Sequence, residues 1–561
     1  MPSPSSTRRL RGPALLLAAA VTAGLTVFSG PAADAAPATP PLEWREGFDS
    51  LADDLQPRAS DPGIAAGEVG FTHDAPKGWS IENDASIEQG GVEEWRGWSF
   101  TTRDFWVDAE DQMRNRFARA HEVIAVADSD EFDDLPAGAH RFDTTLVSPE
   151  VRVHRQSDLK LAFDTHYRQW TGQRATVTVE FDGSGEQVEL LGYDSSTVAQ
   201  DDGRLMNGHE DLDVQVPAGA KRAVFRWRFT AERNSWYWAV DNVHLTKAQP
   251  PVSAEADPSS LWVVSDIQGH PGDFSHGLTD LAALRPDAGG LLIVGDLVNS
   301  GTTAEWDEIY AVRDERDGIL PPQVMSAIGN HERYAPGGFP VLRDRFLDFA
   351  ERDQVWGEYV VESENGVDVP VLILGQDAAG PTDVPISDEQ MSWFRERLAY
   401  WTTQQRQVLV ATHFPLGNTV SASWIPWYSE HHQRNDELTD LLGDHPNAVV
   451  LSGHTHYPLE LGDWAVQRRT PGGHPDGFWA VNTGAMHVEW DARGENTQGI
   501  TEVVTRDINR GLTIDAYPDR LVVKAHDFGV AGPDGGNTMN QQIREVEIPN
   551  PFPRRSGNWP R

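Results

Sequence analysis

Alternating strand-like and helix-like segments in the second half of the chain constrain its fold more than any other feature. After about residue 260, short apolar runs that end in polar residues are separated by amphipathic stretches. Such runs are typical of buried strands, and strands that alternate with helices predict an α/β domain with ligands at the carboxyl ends of its strands. The runs are "LWVVSD", "GLLIVGD", "QVMSAIGNH", "QVLVATHFP" and "AVVLSGHTH".

Two further segments extend this prediction. The stretch "SDEQMSWFRERLAYW" begins with Ser387 and Gln390 in the spacing of a helix capping box. The strand-like "RLVVKAHDF", residues 520–528, indicates a second sheet layered on the first.

Side chains that can bind metals stand at the ends of the five apolar runs. In a strand, residues i and i+2 project to the same side, so His454 and His456 of "GHTH" can converge on one point. The chain contains no cysteine, so a metal site must use His, Asp, Asn and similar side chains. Core packing does not predict such an ordered set, and we interpret it as a metal site. The polar strand ends are Asp266, Gln268, Asp296, Asn299, Asn330, His331, His413, His454 and His456.

The first half of the chain has a different pattern. Segments such as "LKLAFDTHY", "ATVTVEF" and "RAVFRWRFT" alternate apolar and polar residues. This alternation predicts antiparallel strands with one buried face, and hence a β-sandwich over residues 40–247. Residues 248–260, rich in Pro, Ser and Ala, are predicted to be a linker to the α/β domain at 261–549, and residues 550–561 a C-terminal tail.

The predicted β-sandwich opens with "WREGFDS" and closes with "WYWAVDNVHL". This bracketing resembles the jelly-roll modules of the MAM and cleaved-adhesin kind, which often bind glycans or other surfaces. The resemblance implies a glycan or cell-surface ligand, and a purely structural module is the alternative. Four tryptophans either stack on sugars or pack in the core: Trp95, Trp98, Trp236 and Trp238.

The N-terminus has the pattern of a secretory signal peptide, residues 1–35. Three arginines precede an apolar stretch, and the small-residue site Ala33-Asp34-Ala35 follows it. A membrane anchor would need about 20 apolar residues, and fewer are present. We therefore expect a secreted protein. The adjacent Arg8 and Arg9 suggest the twin-arginine route, although the Phe and Lys usual in that motif are missing.

The formal net charge of −40 excludes some partners. A strongly negative protein repels polyanions, so we expect neither nucleic acid nor an anionic membrane surface as a partner. Small phosphate esters stay possible because bound metal ions supply local positive charge.

The ordered strand ends resemble the calcineurin-like metallophosphoesterases, whose series is Asp-x-His, Gly-Asp-x-x-Asp/Asn, Gly-Asn-His-Asp/Glu, a lone His and Gly-His-x-His. The resemblance implies an α/β fold, a two-sheet αββα metallophosphoesterase sandwich, preceded here by the all-β jelly-roll domain. It also implies two transition metal ions, Fe, Mn or Zn, bridged by Asp296. The other ligands would be Asp266 and His456 on the first metal, and Asn330, His413 and His454 on the second.

A two-metal centre explains why these residue types would be collected. Two cations about 3.5–4 Å apart can lower the pKa of a shared water, hold a phosphoryl oxygen and offset charge during an in-line displacement. A hydroxide bridging the metals would then hydrolyse small phosphate mono- or diesters. His331 is the candidate acid that protonates the leaving alkoxide or helps to hold the phosphate, and the alternative is a hydrogen bond to a ligand.

The chain departs from the family pattern at two positions. Gln268 replaces the first histidine, and an amide oxygen is a weaker ligand than imidazole. Asn299 stands where purple acid phosphatases carry a ligating Tyr, so an iron(III) phenolate site is not supported. Asn299, Arg333 and His270 are predicted to contact the substrate or the ligands. A long segment either forms a lip over the leaving group or packs onto the sheet; its candidates are Trp424, Trp427, Tyr428, His431 and His432.

These observations predict a secreted, two-domain, dinuclear-metal phosphoesterase, a hydrolase of small phosphate esters. The alternative is a surface- or glycan-binding protein whose metallophosphoesterase domain is degenerate and non-catalytic. Retention of nearly every other ligand together with His331 favours the enzyme.

Overall fold

The computed structural model describes most of the chain after residue 43. The described residues are 44–87, 90–136, 141–200, 202–232, 234–249, 252, 257–363, 367–379, 384–429, 431–494, 500–529 and 541–552. The predicted signal peptide, residues 1–35, lies outside them, as do residues 553–561 of the predicted tail.

The first module consists mainly of antiparallel strands, as the alternating pattern predicts. Its strands are β1 Trp44–Glu46, β2 Gln56–Pro57, β3 Val69–Thr72, β4 Ser80–Asn83, β5 Trp98–Thr102, β6 Val123–Asp128, β7 Phe142–Val147, β8 Val151–Arg152, β9 Asp158–Tyr167, β10 Arg174–Phe181, β11 Gln187–Asp194, β12 Gly208–Gln215, β13 Arg222–Ala231 and β14 Tyr237–Lys247. Two short helices, α1 Arg103–Ala109 and α2 Ser129–Phe132, connect strands of this module.

These strands form two sheets that enclose one hydrophobic core. One sheet has the order β12-β9-β14-β6-β5-β3-β2, with β1 beside β14, and the other has the order β11-β10-β13-β7-β4, with β8 beside β13. Trp95, Trp98 and Trp238 are fully buried in this core. Trp236 is partly buried, and the Arg168 guanidinium lies 3.5 Å from its ring centroid. These tryptophans therefore pack in the module rather than form a sugar platform.

The second half of the chain contains the predicted alternation of strands and helices. Its strands are β15 Ser259–Val264, β16 Gly290–Val294, β17 Gln323–Ala327, β18 Gly357–Val361, β19 Val369–Ile373, β20 Val408–Ala411, β21 Ala448–Ser452, β22 Ala465–Arg468, β23 Phe478–Asn482, β24 Val488–Gly494, β25 Ile500–Asp507, β26 Arg510–Ala516, β27 Arg520–Asp527 and β28 Gln541–Pro549. Its helices are α3 Pro271–Leu284, α4 Thr303–Arg316, α5 Phe339–Ala350, α6 Asp388–Thr403, α7 Pro426–Ser429 and α8 Asn435–Gly443.

Two mixed sheets form the centre of this domain. The first has the order β17-β16-β15-β26-β27-β28 and the second β18-β19-β20-β21-β23-β22. Alternate residues of β15 face different layers, since Leu261 and Val263 pack between the sheets while Trp262 and Val264 pack under helices α3 to α5. The second sheet is covered on its outer face by α6 and α8. The order helix, sheet, sheet, helix confirms the predicted fold class.

Two sequence predictions can be compared in detail with these elements. Ser387 caps α6, since its side chain accepts a hydrogen bond from the backbone N–H of Gln390. The other half of the predicted capping box is absent, because the Gln390 side chain accepts from the Gly375 N–H and the Ser387 N–H donates to Asp377. Strand β27 does not belong to a second sheet, because it extends the first one through β26. The domain boundaries at 40–247, 248–260 and 261–549 stay predictions.

Candidate metal centre

The polar strand ends meet where the two sheets of the α/β domain come together. Strands β15, β16 and β17 are parallel neighbours in the first sheet, and β20 and β21 are parallel neighbours in the second. Their carboxyl ends therefore lie at the same edge of each sheet. The side chains that follow these five strands are Asp266 and Gln268, Asp296, Asn330, His413, and His454 and His456.

Backbone conformation is unusual at several of these residues. The φ angles are 55° at Asp266 and Asp296, 48° at Gln268, 69° at His454 and 54° at His456. A residue with a side chain in this left-handed region costs about 1–2 kcal/mol. Such strain concentrates at functional sites, where the surrounding structure holds it.

Carboxylates and imidazoles from different strands face one another at the centre. Oδ2 of Asp296 lies 3.0 Å from Nε2 of His413, and Oδ1 of Asp266 lies 3.0 Å from Nε2 of His456. Nε2 of His413 is also 3.1 Å from Oδ1 of Asn330. Oδ2 of Asp296 is buried and has no hydrogen bond of good geometry among the described residues. The donor atoms thus point towards shared positions between them.

Backbone carbonyls orient two of the imidazoles. Nδ1 of His413 lies 2.8 Å from the Val294 carbonyl oxygen, and Nδ1 of His456 lies 2.7 Å from that of Val488. A carbonyl only accepts, so Nδ1 carries a hydrogen, and in the neutral ring the Nε2 lone pair faces the centre, where it can bind a metal. Trp490 stacks on His456 with 4.2 Å between ring centroids and fixes the plane of that ring.

Close backbone approach also shapes the centre at Gly453, which precedes His454. A Cβ atom at this position would stand 2.3 Å from Oδ2 of Asp266. The backbone N–H of His454 donates to the same carboxylate at 3.1 Å. The glycine of "GHTH" is therefore needed for the loop to reach Asp266.

His454 completes a group of three possible ligands. One ligand atom each from Asp296, His413 and His454 lies within 4.8 Å of the others. Nε2 of His454 is also 3.3 Å from Nε2 of His431, a residue of the predicted lip.

Gln268 and His331 stand beside this group. The Gln268 amide nitrogen is 3.1 Å from Nε2 of His456 and 3.3 Å from Nε2 of His331. Rotating the amide by a half turn would place its oxygen at the same point, where it could serve as a ligand. Nδ1 of His331 is 2.7 Å from the Asn299 carbonyl oxygen, and its Nε2 is 3.9 Å from Oδ2 of Asp296. The His331 side chain is 21 % exposed, so part of its ring is open to solvent.

The electrostatics of the cluster favour a cation at its centre. Burial opposes a charge on His413, but the carboxylates of Asp296 and Asp266 raise its pKa to about 9. Burial also opposes a charge on Asp296, but His413, His331 and His454 lower the pKa of this carboxyl. The protein alone thus draws a proton to the point that a metal ion would occupy.

Glu332 holds the backbone of the loops that carry Asp296 and Asn330, a role that the sequence did not predict. This buried carboxylate accepts backbone hydrogen bonds from Gly329 and Leu297 at 2.6 Å each and from Asp296 at 3.2 Å. Burial and then the charge of Asp296 raise its pKa to about 7. Glu332 is the last residue of the "GNHE" motif, and this position in the motif could have identified it.

Three other predicted residues lie around the centre in different ways. Asn299 contributes its backbone carbonyl to His331. Arg333 is half-buried in the 3-10 turn His331–Arg333, and its contact with substrate stays a prediction. His270 groups with Asp273 and His487 rather than with the central ligands, and its ring stacks on His487 with centroids 3.5 Å apart.

The predicted lip reaches the centre in part. Tyr428 and His431 have ring centroids 5.4 Å and 5.0 Å from that of His454. Trp424 and His432 are buried, and Trp427 is 73 % exposed. One part of the segment thus packs on the domain while another part borders the candidate site, and a lip over the leaving group stays a prediction.

The donor set fits two transition metal ions. Carboxylate, imidazole and amide groups are ligands for Fe, Mn or Zn, and the group lacks the oxygen-only character of a calcium site. Two layered sheets with these donors at their strand ends define the domain as that of a metallophosphoesterase. Residues 259–458 match the family model described as calcineurin-like phosphoesterase, and the chain therefore contains a domain of this family. Its members typically bind two metals.

Comparisons with individual proteins add weaker likenesses. A probable cyclic nucleotide phosphodiesterase from Rhodococcus erythropolis is 25% identical over 174 residues, which are 31% of this chain and 52% of that protein. The chain thus spans about half the length of this curated relative. A purple acid phosphatase from yellow lupin (Lupinus luteus) has a TM-score of 0.35 at 13% identity, over 84% of this chain and 90% of that one. A cleaved adhesin domain of Lys-gingipain from Porphyromonas gingivalis has a TM-score of 0.23 at 15% identity, over 37% and 99%.

Proposed function

We propose that the protein is a secreted dinuclear-metal phosphoesterase that hydrolyses small phosphate mono- or diesters. The observation that carries the proposal is the convergence of carboxylate, imidazole and amide donors from five strands on one point. Asp296 would bridge two ions of Fe, Mn or Zn. The first ion's other ligands would be Asp266, Gln268 and His456, and the second's Asn330, His413 and His454.

When bound, the two ions would supply an acidified water and positive charge opposite the phosphoryl oxygens. The protein's own groups hold the geometry for this chemistry. Val294 and Val488 carbonyls keep two imidazoles in the tautomer that presents Nε2 to the centre. His331 lies at the edge with Nε2 facing inwards, and in its protonated form it would donate a proton to the leaving alkoxide.

The net charge of the chain supports a small substrate, and its N-terminal sequence pattern supports a secreted protein. A net charge of −40 disfavours polymeric polyanions, whereas a small ester meets mainly the local field of the site. The signal-peptide pattern of residues 1–35 supports secretion. Among the described residues, no helix has the length and apolar character needed to cross a membrane.

A glycan is the proposed ligand of the N-terminal module. The outer face of its smaller sheet forms a polar cavity of about 650 Å³, lined by residues that include Arg174, Thr176, Glu189, Arg226 and Arg228. Guanidinium, hydroxyl and carboxylate groups suit sugar hydroxyls. A glycan array probed with the full-length protein tests this, and Arg228→Ala should weaken any glycan signal.

Hydrolysis of 4-nitrophenyl phosphate and bis(4-nitrophenyl) phosphate tests the enzymatic proposal. Wild-type protein supplied with Mn²⁺ or Zn²⁺ should hydrolyse at least one of them, and His454→Ala should abolish this with the fold intact. His474→Ala is the matched control, because His474 lies in a surface turn beside Asp476. A His454→Ala variant with wild-type kcat/KM would refute the second metal site.

A further inference from the structure

The N-terminal module contacts the segment that borders the metal centre. We call residues 418–429 and 431–432 the lip. At its far end, Tyr428 and His431 lie against His454, and the two histidine Nε2 atoms are 3.3 Å apart. Any shift of the lip therefore moves groups beside a candidate metal ligand.

The near end of the lip is anchored on Asp463. The backbone N–H of Ser421 donates to the Asp463 carbonyl oxygen at 3.0 Å, and the Ser421 hydroxyl donates to its carboxylate. The indole N–H of Trp424 donates to the same carboxylate at 3.3 Å. Asp463 and Trp424 are both buried, so these contacts fix the base of the lip.

Two arginines of the N-terminal module hold this anchored region. The Arg116 guanidinium lies 4.5 Å from the ring centroid of Trp424. Arg119, which is 3 % exposed, donates to the Ala465 carbonyl oxygen at 2.5 Å and to that of Gly462 at 3.4 Å.

The two backbones also touch directly at Gly462. The backbone N–H of Gly462 donates to the Gly203 carbonyl oxygen of the N-terminal module at 2.9 Å. A Cβ atom on Gly462 would stand 2.5 Å from the Arg204 carbonyl oxygen. Nearby, Arg469 is paired with the fully buried Asp241 of the module at 2.5 Å. A contact this close and this buried transmits displacement rather than absorbing it.

We propose that the N-terminal module is a working part of the phosphoesterase site, because Arg116 holds Trp424 and thereby sets the position of Tyr428 and His431 beside His454. Arg116 is a positioning residue in this account. The proposal rests on the proposed function for its kinetic consequence. It gives the module a role separate from any glycan that the module binds.

Arg116→Met tests the proposal against a matched control within the same module. Arg168 makes the same kind of contact at 3.5 Å with Trp236, a residue of the N-terminal module and not of the lip. Arg116→Met should raise KM for the nitrophenyl ester about 2- to 30-fold, the range that a cation–π contact supports. The kcat and the metal content of Arg116→Met should stay within about twofold of the wild-type values. Arg116→Lys, which keeps a positive charge, should show a smaller rise in KM than Arg116→Met. Arg168→Met should leave KM unchanged.

Hydrogen exchange gives a second readout that does not depend on activity. Residues 418–429 should exchange faster in Arg116→Met than in wild type or Arg168→Met. If Arg116→Met fails to fold, Trp424→Phe takes its place with the same expectations. An unchanged KM in active enzyme, or exchange equal to that of the Arg168→Met control, would overturn the proposal. If the wild type hydrolyses neither ester while lip exchange changes as expected, the proposed function fails and the coupling stands.

Discussion

Replacing one oxygen of the Glu332 carboxylate should loosen the loops that carry Asp296, the proposed metal bridge. Oε1 of Glu332 accepts from the Leu297 N–H, and Oε2 accepts from the N–H groups of Gly329 and Asp296. In Glu332→Gln, the single amide oxygen can keep the two bonds of Oε2. The amide N–H₂ then faces the Leu297 N–H, so one charge-assisted bond is lost and a buried donor is left without a partner.

The expected loss of stability follows from the loss of this one hydrogen bond. A hydrogen bond to a charged group contributes about 1.5–3 kcal/mol. At a pH well above 7, where Glu332 is ionised, the lost bond alone would lower the free energy of unfolding of the metal-free protein by about 1.5–3 kcal/mol. Removing the buried charge beside Asp296 offsets part of that loss, so we expect the net loss in Glu332→Gln to lie at the low end of this range, about 1.5 kcal/mol. The kcat/KM should fall as well, because Asp296 follows the loosened loop.

Glu305→Gln is the matched control for this experiment. Glu305 also accepts two backbone N–H groups, from Ser300 at 3.1 Å and Thr302 at 2.9 Å, but both bonds use Oε2. An amide oxygen can keep both, so this variant should lose less than about 0.5 kcal/mol. Urea unfolding followed by circular dichroism measures both variants. Equal stabilities for Glu332→Gln and Glu305→Gln would refute the reasoning.

Three further predictions concern residues around the centre. Gln268→His should raise the affinity for one of the two metals and leave the affinity for the other unchanged, because position 268 lies beside His456 alone of the proposed histidine ligands. Titration calorimetry of the metal-free protein measures both affinities, and two unchanged affinities would show that Gln268 is not a ligand. His331→Asn should lower kcat about 10²- to 10⁴-fold with metal content unchanged if His331 is the acid, and an unaltered kcat in steady-state assays would rule that role out. Trp490→Ala removes the stack on His456, worth about 0.5–1.5 kcal/mol, so competition with a chelator should show one metal bound about 2- to 12-fold more weakly; equal retention of both metals would contradict it.

Local sequence patterns predicted the parts of the molecule that local physics determines. The apolar runs before Asp266, Asp296 and Asn330 are long and β-branched enough to be strands, and parallel strands bring their carboxyl ends together. The capping of α6 by Ser387 follows from spacing alone. Convergence of the donors was therefore predictable from one sequence.

Contacts between distant segments were not predictable in the same way. The strand β27 was expected, but its partner was not, because strand pairing depends on tertiary contacts that periodicity does not encode. Trp490 and Val488 lie in a later strand and carry no motif, yet they orient His456. The contact of Arg116 with Trp424 joins the two halves of the chain, and nothing in the local sequence of either residue indicates it.

A metal titration of the metal-free protein, followed by hydrolysis of bis(4-nitrophenyl) phosphate and 4-nitrophenyl phosphate, tests the central claim most directly. Two ions share the Asp296 bridge in our account, so activity should rise with added Mn²⁺ or Zn²⁺ and level off at about two equivalents per chain. Asp296→Asn should stay inactive over the whole titration. Hydrolysis at the full rate by the metal-free protein, or no hydrolysis of either ester with two ions bound, would contradict the assignment of this centre as a two-metal phosphoesterase site.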